Sequence, residues 1–193
     1  MFFEDFTKTG CVYHIAAIND LKKIMSQGIK YNDKASYKEK YCGFHQLFDD
    51  QKPAYIPKWV ERKKAIFATM NYRKKPGFHS HTVVMALKID IKRCWIANEN
   101  KANQLYEPFI LKNILEYNSA ENYLQTKGKE IIKNYWSTSL SFENNLLERA
   151  DQKENYDAEV LIFHEIPPEN IRPLFIVSDH RVQTINQWKK IFS

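Results

Sequence analysis

Glu159 stands at the mouth of an apolar run, Val160-Leu161-Ile162-Phe163, which is followed by Pro167-Pro168. Such a run has the composition of a strand buried on both faces, and a carboxylate entering those surroundings is costly unless it has partners or a task. His14 lies between apolar neighbours in Val12-Tyr13-His14-Ile15. There a neutral imidazole can donate to a ligand hydroxyl from one nitrogen while a backbone carbonyl fixes the other. Ser137-Thr138-Ser139, read as a strand, puts the hydroxyls of Ser137 and Ser139 on one face, within reach of a neighbouring carboxylate. Arg62, ahead of an apolar run that starts at Ala65, offers a planar fork for a diphosphate. Tyr72 and Arg73 follow that run as lesser candidates for stacking and phosphate binding, and Trp136 offers an aromatic face. Each has a plainer alternative: a glutamate at a strand edge facing water, a satisfied core histidine, hydroxyls in an ordinary strand, a solvated basic loop, an aromatic in the core.

In chain order, Tyr13-His14 on a first strand, a helix ended by Gly28, Ser137-Thr138-Ser139, and Glu159 with its Val-Leu-Ile resemble the catalytic core of the ADP-ribosyltransferase superfamily, DarT-type DNA-modifying enzymes included. The resemblance implies an α+β fold with a split, mostly antiparallel two-sheet core, flanking helices, and NAD as co-substrate between its halves. It implies transfer of ADP-ribose to a macromolecular acceptor, protein or nucleic acid, with release of nicotinamide. Glu159 would stabilise the oxocarbenium-like transition state, the charge problem that glycosidases solve with carboxylates. Ser137 or Ser139 would orient Glu159, and His14 and Tyr13 would bind the ribose region. Arg62, Tyr72 and Trp136 would complete the NAD site, and Asp157 would face the acceptor. Two departures leave the acceptor open: Asp157-Ala158-Glu159 stands where other members carry Glu-x-Glu or Gln-x-Glu, and a first-strand histidine with a Ser-Thr-Ser segment mixes two subclasses.

The 193 residues suit a single domain spanning 1–193, and 44% hydrophobic residues suffice for a substantial core. A net charge of +6 favours an acidic partner, a polyphosphate-bearing small molecule or nucleic acid. A non-catalytic nucleic-acid-binding protein, with lysines on phosphates and aromatics on bases, is therefore the alternative reading. Cys11, Cys42 and Cys94 are odd in number and outside CxxC pairs, so the expectation is free thiols and no metal. His79-x-His81 and Cys11-x-x-His14 lack further ligands. No stretch reads as a signal peptide or membrane span, which predicts a cytoplasmic protein without membrane association. P-loop, GxGxxG, GxSxG and HExxH motifs are absent from the sequence.

The elements that must position these groups follow from pattern. Residues 11–15, 65–69, 82–89, 136–140, 160–163 and 171–177 read as strands. A helix capped by Asn19 or Asp20 should run to Gly28, and helices are expected over 104–117, 119–133 and 183–192. Residues 30–59, aromatic and polar with Pro53 and Pro57, read as irregular loop with room for a short helix. Strands and helices do not strictly alternate, which favours α+β.

Overall fold

A computed structural model of the chain describes residues 3–31, 35–71, 79–179 and 181–191, with the backbone alone for 35–40. In chain order the elements are α1 (Phe6–Thr9), β1 (Val12–Ala17), α2 (Leu21–Gln27), α3 (Ala35–Asp49), β2 (Ile66–Thr69), β3 (Thr82–Leu87), β4 (Cys94–Asn98), α4 (Glu99–Leu111) and α5 (Asn118–Tyr123). They continue as α6 (Lys129–Ser137), β5 (Leu140–Ser141), α7 (Phe142–Glu148), β6 (Ala158–Ile162), β7 (Ile171–Ser178), β8 (Arg181–Thr184) and α8 (Ile185–Ile191). The chain is mixed helix and strand, and its strand pairs among the described residues are antiparallel; a division into two sheets is not shown. No helix among the described residues is long and apolar enough to cross a membrane.

The chain divides into two compact units. The first comprises Met1–Tyr31, Ile66–Asp90 and His164–Ser193. Its strands lie in the order β2-β1-β3-β7-β8. β1 pairs along its whole length with β3, His14 opposite Met85 and Tyr13 opposite Ala86. Between β3 and β7 the register shifts after Val84, with Phe175 opposite Val84 but Pro173 opposite Met85. Proline has no N–H for a ladder, and β8 covers β7 only from Phe175 to Ser178, so Pro173 sits where a missing donor is tolerated. Under this sheet Phe3, Cys11, Tyr13, Val84, Ala86 and Phe175 form one apolar cluster. α2 stops at Gly28, whose φ of +81° suits glycine, and a Cβ there would collide with the carbonyl of Ile166. That close approach lets Ile29 bridge to Ile166.

The second unit comprises Asn32–Ala65 and Ile91–Phe163. Its strands lie in the order β5-β4-β6. β4 is buried at every position, as befits the middle strand, and Trp95, Ile96 and Ala97 face Leu161, Val160 and Glu159 across the ladder. α6 buries Ile132, Tyr135 and Trp136, the i, i+3, i+4 stripe of a helix that packs by one face. The Trp136 indole donates to the Phe48 carbonyl at 2.8 Å, tying α6 to α3. A π turn over Leu124–Gly128 joins α5 to α6. Before β6, Asp151 accepts from both Asn145 and Arg149, and the Tyr156 hydroxyl donates to the Thr138 carbonyl at 3.0 Å.

Several sequence expectations need correction. Residues 35–49 form a fifteen-residue helix inside the segment read as irregular. Residues 136 and 137 belong to α6, not to a strand, and only Leu140 and Ser141 pair with β4. The hydroxyls of Ser137 and Thr138 donate back to the Asn134 carbonyl and that of Ser139 to the Trp136 carbonyl, the local bonding by which such residues end a helix. β4 and β8 were not anticipated, and α4 begins at Glu99 and ends at Leu111 rather than covering 104–117.

Candidate functional site

The second unit encloses a charged group in its core. α3 ends at Asp49, whose carboxylate accepts the backbone N–H groups of Arg62 at 2.7 Å and Lys63 at 3.0 Å. Burial raises the Asp49 pKa, partly offset by these bonds. The intervening loop is gathered by Lys52, whose ammonium donates to the carbonyls of Pro57, Lys58 and Val60 at 3.2, 3.3 and 2.6 Å. With its backbone fixed from both sides, Arg62 sends its side chain inward, where it is 4% exposed.

The guanidinium is held on three edges. One terminal nitrogen donates to both oxygens of Glu159, at 3.0 and 2.8 Å. Nε donates to the Tyr135 hydroxyl at 3.1 Å, and that hydroxyl donates in turn to Glu159 Oε1 at 2.7 Å. Arg62 and Glu159 thus share Tyr135 as a common partner, a closed ring of charge-assisted bonds. The third edge meets Nδ1 of His45. Because arginine has only donors, Nδ1 must accept, so the proton of neutral His45 sits on Nε2. Burial first, and then the Arg62 charge, press the His45 pKa down to about 3. Aromatic rings complete the enclosure, with the guanidinium carbon 5.6 Å from the Phe44 centroid, 5.0 Å from Phe48 and 5.6 Å from Tyr135.

Burial opposes the charge of Arg62, but Glu159 and Tyr135 outweigh it and leave its pKa above the ordinary value. Burial and the nearby Glu159 charge raise the Tyr135 pKa, keeping the phenol a donor. Glu159, 5% exposed, is the pair's anion and is fixed by β6 and by three hydrogen bonds. A carboxylate oriented in this way cannot relax around a developing positive charge, which is what preorganised electrostatic stabilisation requires.

Two further carboxylates lie at the same end of β4 and β6. Asp157 and Glu99 are exposed, and the Glu99 N–H donates to the Asp157 carbonyl at 2.8 Å. Crowding raises the Glu99 pKa to about 7, through desolvation first and then the charges of Glu159 and Asp157, with Arg62 opposing. The open surface of Glu99 means that water moderates this shift.

The second unit therefore brings Arg62, Glu159 and Asp157 into one region, and the bonds to Arg62 differ from those expected of a diphosphate ligand. Ser137 and Ser139, expected on a strand beside Glu159, lie at the end of α6; Ser139 accepts from the Trp95 indole at 2.9 Å. Among the hydrogen bonds described, the hydroxyl on Glu159 is that of Tyr135. Trp136 is fully buried as a packing residue. In the first unit, His14 is buried on β1 and its Nδ1–H donates to the Phe67 carbonyl at 2.6 Å. A carbonyl therefore does fix one nitrogen, but in the neutral ring Nε2 is then an acceptor rather than the expected donor. Tyr13 is buried with its hydroxyl on the Glu4 carbonyl at 2.6 Å. Tyr72 and Arg73 lie outside the described residues.

Sequence reasoning missed His45, Glu99 and the part played by Tyr135. The signal for His45 was available in Phe44-His45-x-x-Phe48, one face of a helix flanked by aromatics, once residues 35–49 are read as helical. Among the described residues no group of three or more His, Cys, Asp or Glu side chains could hold a metal ion. Comparison of the chain with protein-family models, curated proteins and solved structures finds no match in any of the three.

Proposed function

We propose that the chain is an NAD-dependent ADP-ribosyltransferase that transfers ADP-ribose to a macromolecular acceptor and releases nicotinamide. The observation that supports this reading most is the Glu159 carboxylate, held at a strand position by Arg62 and Tyr135 with two exposed carboxylates beside it. In this reading Glu159 accepts a ribose hydroxyl and stabilises the cation left as the bond to nicotinamide breaks. Arg62 and Tyr135 orient Glu159, a task assigned from sequence to Ser137 or Ser139. The reading carries with it the split-sheet core of that superfamily.

Nicotinamide release from NAD tests it, measured on wild type and Glu159→Gln beside thermal melts of both. The expected result is release by wild type and a loss of about 10²-fold or more in the variant under conditions where it is folded. A folded variant with undiminished release, or an inactive wild type, overturns the reading. The second reading, a non-catalytic nucleic-acid-binding protein, is favoured by Tyr55 and Trp59, 68% and 44% exposed on either side of Lys58. Salt-dependent binding of DNA or RNA without nicotinamide release would support that alternative.

A further inference from the structure

The ladder between β4 and β6 sets which carboxylates share a face. Ala97 stands opposite Glu159 and Asn98 opposite Ala158. The Glu99 N–H to Asp157 carbonyl bond continues that register by one step beyond the strands. Side chains alternate across a sheet, so positions 97 and 159 fall on one side and 98 and 158 on the other, and just beyond the strands the charges of Glu159 and Asp157 both reach Glu99. Glu99 and Asp157 therefore lie at the Glu159 end of the ladder, with Glu159 buried and the other two open to solvent.

Glu99 is the better fixed of the two exposed groups. β4 passes directly into α4 at Glu99, and the junction is held by Asn98, which is 5% exposed. The Asn98 side chain accepts from the Asn100 N–H at 3.1 Å and donates to the Asn155 carbonyl at 3.1 Å. It thus caps α4 and ties it to the loop ahead of β6. Asp157 lies ahead of β6, outside the strand, and its side chain is one methylene shorter. The charged groups that act on Glu99 are Glu159, Arg62 and Asp157.

We propose that Glu99 is the general base of this site, taking the proton of the acceptor while Glu159 stabilises the ribosyl cation. The assignment rests on the ADP-ribosyltransferase reading. In the step, the bond between nicotinamide nitrogen and ribose carbon breaks and neutral nicotinamide leaves with the electron pair. A lone pair of the acceptor oxygen or nitrogen forms the new bond to that carbon, and the acceptor's proton passes to the Glu99 carboxylate and from there to water. A carboxylate whose pKa is pushed above the ordinary glutamate range suits this work, because it holds a proton better than a free one does. Its location also answers the difficulty raised by Asp157, too short for the place that a longer acidic or amide side chain occupies elsewhere.

The test uses water as acceptor and follows nicotinamide release from NAD between pH 5 and 9 for wild type, Glu99→Gln and Asp157→Asn. Glu99 is exposed and its backbone bond survives substitution, so the variant, relieved of a charge crowded by Glu159 and Asp157, should melt no lower than wild type. Wild-type rate should climb through an inflection above the ordinary glutamate range, where desolvation and the Glu159 charge push Glu99. Glu99→Gln should lose that inflection and about 10²-fold in rate at pH 8, and Asp157→Asn, which removes a charge that raises the Glu99 pKa, should move the inflection down. Carbon-13 carboxyl NMR of the free protein should place the Glu99 midpoint well above the ordinary glutamate range. Wild-type release that Glu99→Gln leaves unchanged, or a Glu99 midpoint in the ordinary range, overturns the assignment alone. No release by wild type at any pH overturns both the assignment and the reading beneath it.

Discussion

The two units stabilise their interiors by different means. In the first, Phe3 meets Tyr13 and Phe175 edge to face, with ring centroids 5.3 and 5.5 Å apart, and the Tyr13 hydroxyl leaves the cluster for the Glu4 carbonyl. In the second, aromatic rings of similar size enclose an arginine, a glutamate and a neutral histidine. Losses in an apolar cluster scale with the surface and volume removed. Losses in the charged core depend on what is left behind, because each group there has its desolvation offset by a particular partner. A core of the second kind is a poor way to gain stability and a good way to hold one carboxylate in one orientation, which is why function is sought there.

The largest effect should come from stranding one member of the pair. Glu159→Leu leaves the Arg62 charge buried without its carboxylate and should cost about 3–5 kcal/mol, whereas Arg62→Met with Glu159→Leu should cost far less than the sum of the two single changes. Urea denaturation of all four proteins closes the cycle. Additive losses would mean that the second core behaves like the first.

Acid should separate the units next. His45 has a folded pKa depressed from 6.5 to about 3, so the unfolded chain binds the extra proton between those values. Stability from this group is complete above the unfolded pKa and falls with pH by about 1.4 kcal/mol per unit within that window. Glu99, raised from 4.5 to about 7, contributes with the opposite sign between its two values, since there the folded chain holds the extra proton. Asp49, raised from 3.8, and Glu61, lowered from 4.5, also titrate in the window from 3 to 4.5, so His45 is read there from the difference between wild type and a His45 variant. Denaturation midpoints of wild type and His45→Gln should converge as pH falls through it, because the amide can accept from Arg62 without ever charging. Parallel curves would remove His45 as the acid-sensitive element.

The smallest effect sharpens the contrast with one substitution made twice. Tyr135→Phe removes a hydroxyl that serves both Arg62 and Glu159, and should cost about 1–3 kcal/mol because charged partners are left short. Tyr13→Phe removes one neutral bond to a carbonyl and should cost about 0.5–1.5 kcal/mol. Thermal melts of the two variants would rank them; the reverse order would contradict the comparison.

How far the sequence carried these conclusions differs by element. The strands at Val12, Thr82, Val160 and Ile171 were legible because their apolar and β-branched runs leave little choice, and Gly28 marked the end of α2. α3 was hidden by its composition: tyrosines, lysines and a glycine between polar residues resemble a loop, and its apolar stripe is aromatic and includes a histidine. β4, Cys-Trp-Ile-Ala-Asn, has only one β-branched residue and runs straight into a helix. The serines at the end of α6 misled because hydroxyls that bond back to a helix look, in sequence, like a strand. Glu159 was legible as an anomaly, and Arg62 as a basic residue near a strand. Their union was not, since 97 residues separate them and no local pattern encodes the choice of a partner that distant.

The π turn at Leu124–Gly128 bears on how this chain can change length. A π turn accommodates one residue beyond the α-helical count by widening locally, so the helix after it keeps nearly the phase it would have without that residue. Tyr135 lies downstream, on the helix whose phase the wide turn preserves. Deleting one position between 124 and 128 would let the turn close to an α-helical one and leave Tyr135 near its present direction, whereas a deletion in the regular turns of α6 ahead of Tyr135 would rotate it by about 100° away from Glu159, since each residue advances an α-helix by that angle. The irregular turn thus acts as slack in the residue count, a place where the loss of a single codon spares the carboxylate's partner.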